Sequence, residues 1–491
     1  MSPSAEQFRA LFDPRGVVVA GASSHPGKFG FVALHNILSQ GYAGTVCATN
    51  REGGSILGVE AAPSIADLPA DAPLDLVFVC TPAAANEQLL ADCAARGIRA
   101  AFVTSAGYGE AGDAGRAAER DLVALGDQLG MLVAGPNGQG VVSTPSSLCA
   151  QIVAPYPPAG RIGVASQSGN FVSSFLNYAV QTGIGISRAV SAGNAAAVTV
   201  ADYLDYYAGD PETDAGLAYV EGLTDGRAFF ERVRGVAARK PLVLLKGGAT
   251  SGGQRAAASH TGALAADDRV FDGMCAQAGV TRADTVEAAY EAVATFATQP
   301  LPRGPRVAVV TTAGGWGVVT ADAITRGELE LVPLAADLRA AIDEKLPPRW
   351  SRNNPLDLAG GETRDTIPEV LELVAAHVSV DAVIYLGLGI QSNQARLMRE
   401  GRFYPEHGLE RIVAYHERQD ARFAAAAAAV SDRTGKPILT ATELAVTSPD
   451  NPGPRAVRET GRLCYASANR AVAALEQLWR RARFLQRRDL D

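Results

Sequence analysis

Cysteine is sparse and never paired in pattern. The six cysteines (Cys47, Cys80, Cys93, Cys149, Cys275 and Cys464) are scattered, with no Cys-x-x-Cys pair. That argues against both a zinc cluster and a disulfide framework, and no metal site is expected on this chain. Several of these cysteines lie in apolar runs, where a reduced thiol behaves as a small hydrophobe. No basic block stands out before the last dozen residues, and the formal net charge is -8. Nucleic acid is therefore not an expected partner. An anionic ligand would have to be held by local devices such as helix N-termini, because the overall field does not attract it. No apolar run reaches 18 residues, and the polar opening MSPSAEQFRALFDP has no apolar core of a signal peptide. No membrane contact is expected, and a cytoplasmic location is. A GxxxxGK loop followed by Ser or Thr is also missing, so the chain shows no phosphoryl-transfer nucleotide site of that kind.

What is present is core material. Hydrophobic residues make up 47% of 491 residues and charged residues 20%, too much chain for one core and enough for about three domains. Short β-branched runs alternate with amphipathic stretches throughout. In the first third the runs are 16–20, 45–49, 74–80, 100–104 and 131–134, separated by helical patterns such as 31–40, 84–96 and 115–130. This alternation predicts a parallel sheet covered on both faces. Two proline-rich stretches, 153–160 and 299–305, read as linkers. They divide the chain into 1–152, 160–298, 304–450 and a tail with one helix, 451–491. The segments 161–182 and 306–326 share one plan: basic residue, strand, Ser or Thr, glycine-containing turn, apolar helix. Further strands are expected at 217–220, 242–245, 382–386, 411–414 and 437–440. Asn451-Pro-Gly-Pro454 is expected to break the chain. The fold class is α/β, a Rossmann-like domain followed by two doubly wound, flavodoxin-like domains.

The strands of the first domain end in small polar turns, which a parallel sheet brings to one edge, where such proteins bind ligands. The first turn, GASSHPGKFG (21–30), is a poor match to GxGxxG because its later glycines come late; alone it shows only a tight strand-to-helix turn. The stretch 246–265 holds His260 among Gly, Ser and Ala after an apolar strand. Gly247, Gly248, Gly252 and Gly253 with their small neighbours suit a segment that swings between sites. From these residues alone, His260 is equally a surface histidine on a flexible loop.

Taken in order, GASSHPGKFG (21–30), SAGYGEAG (105–112), GPNGQG (135–140), SQSG (166–169) and ASHTGALA (258–265) resemble the α-type subunit of the NDP-forming acyl-CoA synthetase superfamily. Glu221 after its strand and TTAGGWG (311–317) support this. The superfamily contains succinyl-CoA synthetase and ADP-forming acetyl-CoA synthetase. The resemblance covers nearly the whole chain. It implies a ligase: acid, CoA and NTP give acyl-CoA, NDP and phosphate through an acyl phosphate and a phosphohistidine. It implies His260 as the phosphorylated residue and Glu221 as acceptor for its other ring N–H, against a simple solvated glutamate. A neutral imidazole nitrogen is nucleophilic near pH 7, and an acceptor on its other nitrogen fixes tautomer and orientation. Ser168-Gly169 and Gly314-Gly315 match turns whose helix N-termini hold phosphate, although glycine also simply permits tight turns. CoA contacts are implied at Gly21, Ser23, Lys28, Asn50, Pro82 and Glu110, and an acyl contact at Asn137. Trp316 stands where a smaller residue or proline is usual, which puts the role of Gly317 in question. Gly138 stands where cysteine is frequent, so the acid is not carried over. The resemblance further implies that a separate ATP-grasp subunit supplies ATP or GTP with Mg2+, making a hetero-oligomer, because only about 40 residues follow the third domain against the ~200 such a domain would need.

Two other classes compete. A nicotinamide oxidoreductase would need an acidic residue after the second strand, where Asn50-Arg51-Glu52 offers Glu52. A non-catalytic CoA-binding regulator would keep the fold without the histidine chemistry.

Overall fold

In the computed structural model, residues 3–223, 225–255, 267–358 and 365–488 are described. His260 lies outside them. The chain divides into two compact units, Met1–Gln181 with Gly185–Val293, and Thr182–Ile184 with Ala294–Asp491.

The first unit holds two sheets. In the first, β1 (Gly16–Ala20), β2 (Thr45–Thr49), β3 (Gly54–Ile56), β4 (Val59–Ala62), β5 (Leu76–Val79), β6 (Ala100–Val103) and β7 (Leu132–Ala134) lie in the order β3-β4-β2-β1-β5-β6-β7. All neighbours are parallel except β3 and β4. The central strands β1, β5 and β6 are buried at every residue, as continuous apolar runs covered on both faces should be. Gly21, at φ +80°, turns the chain off β1, and the Phe29–Ser39 helix packs so closely that a Cβ on Gly30 would lie 2.1 Å from the Gly21 carbonyl.

The second sheet comprises β8 (Gly140–Ser143), β9 (Leu148–Gln151), β10 (Ala159–Ser166), β11 (Ile186–Ser191), β12 (Ala215–Val220), β13 (Leu242–Lys246) and β14 (Thr281–Ala283). Their order is β14-β13-β12-β10-β11-β8-β9. The five parallel strands run 2-1-3-4-5, the flavodoxin order. β8 and β9 form an antiparallel hairpin added to β11. The sequence hid this hairpin: the proline-rich stretch at 153 marks a linker, but the change of sheet falls earlier, between β7 and β8.

The second unit holds β15 (Arg306–Thr311), β16 (Glu330–Leu331), β17 (Leu356–Asp357), β18 (Ala382–Leu386), β19 (Ile438–Ala441) and β20 (Cys464–Tyr465), ordered β16-β15-β18-β19-β20 with β17 beside β15. The same 2-1-3-4-5 order repeats here. Two expectations change in this unit. Residues 411–414 are not a strand but the start of the Leu409–Thr434 helix. Ile412 and Val413 cost that helix a few tenths of a kcal/mol each, and the alanine-rich run 423–430, with Phe423, Ala424, Ala427 and Val430 buried, propagates through them. Asn451-Pro-Gly-Pro454 does not break the chain but starts the Pro452–Glu459 helix: the Asn451 side chain accepts from the Gly453 N–H at 2.9 Å, and proline is at home in a first turn. The final helix lies at Ala468–Arg488, where the sequence places one, and Ala471, Val472, Leu475 and Leu478 are buried against the third sheet and the helix after β15. Among the described residues no helix is long and apolar enough to cross a membrane.

The first unit's two sheets are braced at their amino ends by a buried cation. Arg188 on β11 donates to Asp13, at 2.5 and 2.7 Å, and to Asp210 at 3.2 Å. Its side chain is 3% exposed. Beside it, Phe12 of the Ala5–Phe12 helix stacks on Tyr206 at 5.4 Å. Removing one member of a buried pair leaves the other charge uncompensated. Arg188→Ala is therefore expected to cost about 3–5 kcal/mol. Arg99→Ala removes an exposed pair with Glu6 and should cost at most about 1 kcal/mol. Denaturant unfolding of both variants checks this, and equal losses would refute the bracing role of Arg188.

Candidate active site

The parallel strands of the first sheet deliver their turns to one edge, and polar side chains stitch those turns together. Asn50 Nδ2 donates to the Ala22 carbonyl at 2.8 Å, and the Gly21 N–H donates to the Thr49 carbonyl at 3.1 Å. Asn86, 1% exposed, donates to Ser105 Oγ and to the Tyr108 hydroxyl and accepts from Thr81 Oγ1. Ser105 Oγ in turn donates to the Thr81 carbonyl at 2.6 Å, next to Pro82. Ser23 Oγ accepts from the His25 N–H within the first turn. Lys28 is exposed at the start of the Phe29–Ser39 helix, whose N-terminus has no side-chain cap. Gly21, Ser23, Lys28, Asn50, Pro82 and Glu110 thus all belong to this one edge. Glu52 is exposed, with its N–H held by Asn50 Oδ1.

Glu110 is already engaged. Its carboxylate accepts from the N–H groups of Gly107 (2.5 Å) and Tyr108 (3.2 Å) and from Asn194 Nδ2 at 2.6 Å. Burial opposes its ionisation, but the Asn194 amide and these backbone donors outweigh burial and hold it below the usual carboxylate range. Asn194 also donates to Glu119 at 2.7 Å and accepts from Asn137 Nδ2 at 3.3 Å. One side chain from the second sheet's β11 turn therefore ties together the 107–110 turn, the helix bearing Glu119 and the GPNGQG loop. Sequence reasoning missed it. The nearest signal was its place after a strand, in Ser-Ala-Gly-Asn.

The GPNGQG loop lies between the two sheets. Asn137 sits at φ +60° and is exposed. Gly138 admits nothing larger, since a Cβ there would meet the Ser191 carbonyl at 2.5 Å and the Phe102 ring at 2.7 Å. Gln139 then reaches the start of the Gly169–Thr182 helix, where a Cβ on Gly169 would lie 2.1 Å from the Gln139 amide carbon.

At that helix start, Ser166 Oγ accepts from the Ser168 N–H and donates to the Ser168 carbonyl. Thr311 Oγ1 treats Ala313 in the same way before the Gly314–Arg326 helix. The two glycine turns are the same device in two units. They differ in surroundings: a Cβ on Gly314 would meet the Asp357 carboxylate at 2.5 Å, whereas Gly315 faces open space. Gly317 is buried and packs against Pro355 and Thr311, so close packing accounts for it. Trp316 is half-buried and lines a cavity of about 190 Å³ with Leu386, Ala441 and Thr442 at the carboxyl edge of the third sheet.

Glu221 follows β12 directly and is 9% exposed. Gln167, in the turn before the Gly169 helix, clamps it: Gln167 Oε1 accepts from the Glu221 N–H at 2.6 Å, and Gln167 Nε2 donates to the Gly222 carbonyl. The Tyr219 hydroxyl bonds the Glu221 carboxylate, and burial together with that carboxylate raises the phenol's pKa, so Tyr219 stays a neutral donor. Phe171 stacks on Tyr219 at 3.9 Å. The segment leading toward His260 starts here. The Gly247 N–H donates to the Val220 carbonyl, and a Cβ on Gly247 would lie 2.5 Å from the Tyr219 hydroxyl. Lys246 at the end of β13 and Asp268 in the helix that follows form an ion pair at 3.4 Å, backed by Arg282. The Gly247 end thus lies beside Tyr219 and Glu221, and the Asp268 end is tied to Lys246. Residues 251–255 form a helical turn capped by Thr250 Oγ1, so Gly252 and Gly253 lie in helix rather than in an irregular loop. Glycine permits irregularity without requiring it.

Known proteins carry the same arrangement of domains. The sequence matches a CoA binding domain over residues 15–144, a succinyl-CoA ligase like flavodoxin domain over 159–296 and a ligase-CoA domain over 307–389. It is 34% identical over 383 residues to the alpha subunit of ADP-forming acetate–CoA ligase I from Pyrococcus furiosus, covering 77% of this chain and 82% of that one. It is 30% identical over 378 residues to the ADP-forming 4-hydroxybutyrate–CoA ligase of Nitrosopumilus maritimus, where it spans 54% of that protein. A solved structure of dinucleotide-forming acetyl-coenzyme A synthetase 1 from Ca. Korarchaeum cryptofilum, in complex with phosphate and ADP, matches over 99% of each chain with a TM-score of 0.83 and 28% identity. With an extensive match to an alpha subunit and all three domains in order, this chain belongs to the NDP-forming acyl-CoA synthetase family and is of its α type.

Proposed function

We propose that this chain binds CoA and relays the phosphoryl group in an acid–CoA ligase that converts acid, CoA and NTP to acyl-CoA, NDP and phosphate. One observation carries the reading. The turns suited to CoA, the GPNGQG loop, the Gly169 helix start and Glu221 form a connected series within one unit, through Asn194, Gln139 and Gln167. A thiol held at one end and a phosphoryl group at the other would meet at an acyl carbon between them.

Lys28 and the uncapped Phe29–Ser39 helix N-terminus suit a CoA phosphate, with Gly21, Ser23, Asn50 and Pro82 shaping the turns beside it. Glu110 fixes the 107–110 turn. The first turn of the Gly169 helix, with Ser168 and Gly169, offers N–H groups to a phosphoryl group. Gly314 and Gly315 are the equivalent donors in the second unit. His260 carries the phosphoryl group and Glu221 orients its ring, held ready by Tyr219 and Gln167. Asn137 faces the acyl group. Acetate and 4-hydroxybutyrate, the acids named in the relatives, are the first substrates to try.

The nucleotide comes from an ATP-grasp partner subunit that binds ATP or GTP with Mg2+. The chain spans about half the length of its single-chain relatives, which leaves in them a region large enough for such a domain. The six cysteines are all free, which fits a reducing compartment and a cytoplasmic location.

His260→Asn is expected to abolish incorporation of labelled phosphate, whether supplied as NTP with the partner or as acyl-CoA plus phosphate. Labelling that survives the substitution contradicts the relay. Glu221→Gln keeps the shape but weakens the acceptor, and should slow phosphohistidine formation by about 10–100-fold while leaving CoA affinity, read by calorimetry, unchanged. An unaltered labelling rate in Glu221→Gln removes Glu221 from the mechanism.

A further inference from the structure

Gln139 links the GPNGQG loop to the Gly169 helix start, but its side-chain amide has no chemical role assigned above. Its backbone is fixed: the N–H donates to Ser191 Oγ at 3.0 Å, and the carbonyl accepts from the Ile152 N–H at 3.0 Å. Its side-chain amide makes no hydrogen bond to any described residue. That amide stands against the start of the Gly169 helix, with its carbon, nitrogen and oxygen 2.1, 2.4 and 2.5 Å from where a Cβ of Gly169 would stand. A side chain at position 169 would have to displace the Gln139 amide. Gln139 is half-buried, so its amide is open to solvent and a ligand entering the site would take the place of water on it.

The location says which ligand atom. In thioester formation the acyl carbon is bonded to a phosphoryl oxygen and attacked by the CoA sulfur. It must lie between the turns of the first sheet and the Gly169 helix start. Gln139 spans that gap: it belongs to the loop leaving β7 and touches the helix of the second sheet. Asn137, two residues earlier, donates to Asn194 of the β11 turn at 3.3 Å.

We propose that Gln139 is a catalytic residue whose Nε2–H donates to the acyl oxygen as CoA displaces phosphate. The inference rests on the ligase reading above. The sulfur–carbon bond forms while the carbonyl electron pair moves onto the acyl oxygen. That oxyanion then collapses, the carbon–oxygen bond to phosphate breaks, and its electron pair leaves with phosphate. The thiol proton goes to phosphate or solvent. A donor aimed at the acyl oxygen stabilises the charge that exists only during this step. The helix N–H groups serve the phosphoryl oxygens, and so do not duplicate it.

The test uses the chain in complex with its nucleotide-binding partner. Acyl-CoA formation is measured with whichever of acetate or 4-hydroxybutyrate the wild type turns over best. Gln139→Leu keeps much of the bulk and removes the donor. Acyl-CoA formation should fall roughly 100–1000-fold, with KM for CoA unchanged and with NTP-dependent phosphate labelling of the chain at the wild-type level. Gln139→Glu, close in shape but an acceptor facing an oxyanion, should be at least as slow, with labelling intact. Acyl-CoA formation within about threefold of wild type in Gln139→Leu, an estimate set well below the loss of one such donor, overturns the proposal. So does a parallel loss of labelling, which marks a structural role. A wild-type complex that forms neither acyl-CoA nor labelled chain contradicts the ligase reading itself, and the wild-type arm separates that failure from failure of the Gln139 role.

Discussion

The candidate site depends on the contact between the 191–197 segment and the Gly135–Gly138 turn. Gly193 sits so close that a Cβ would lie 2.2 Å from the Pro136 carbonyl, and the N–H groups of Asn194 and Ala196 donate to the carbonyls of Pro136 and Gly135. Backbone from the second sheet is thereby hydrogen-bonded to the turn that leaves the first. Asn194, placed by this contact, fixes Glu110 and Asn137. Were it absent, the turns at the edge of the first sheet and the Gly169 helix start would belong to two sheets free to drift apart. A displacement of 1 Å in such a site costs on the order of 100-fold in rate.

The scaffold uses one device twice. A strand ends in Ser or Thr whose hydroxyl folds the next turn, and a glycine opens a helix at the carboxyl edge: Ser166 before Gly169, Thr311 before Gly314. Both sheets have the 2-1-3-4-5 order. What differs is what stands against the glycine, a neutral amide at Gly169 and a carboxylate at Gly314. An uncharged neighbour leaves the helix N-terminus attractive to an anion, and a carboxylate competes with one.

Much of this was legible in the sequence because it is local. Strand, turn and helix alternate with clear periods, and each glycine turn follows an apolar run, so the three sheets and the loops at their edges could be read directly. Features that depend on distant partners could not. The β8–β9 hairpin looks like any pair of short apolar runs until β11 is there to receive it. The run at 411–414 reads as strand because its propensity is judged apart from the long alanine-rich helix that absorbs it. Asn194 and Gln167 act on residues 54 to 84 positions away, and nothing near them in sequence marks their role. Gln139 is visible only through the space it denies to Gly169.

The central claim is that one unit of this chain brings a CoA thiol and a phosphoryl group to a shared acyl carbon, with the nucleotide supplied from outside. The most direct measurement mixes the purified chain with an ATP-grasp subunit of the same family, an acid, CoA and NTP, and follows acyl-CoA and NDP together by mass spectrometry. The account predicts that both products appear in equal amounts, and only when chain, partner and CoA are all present. Acyl-CoA formed from NTP by the chain alone, or NDP released by the full mixture with no acyl-CoA from any acid supplied, would contradict it.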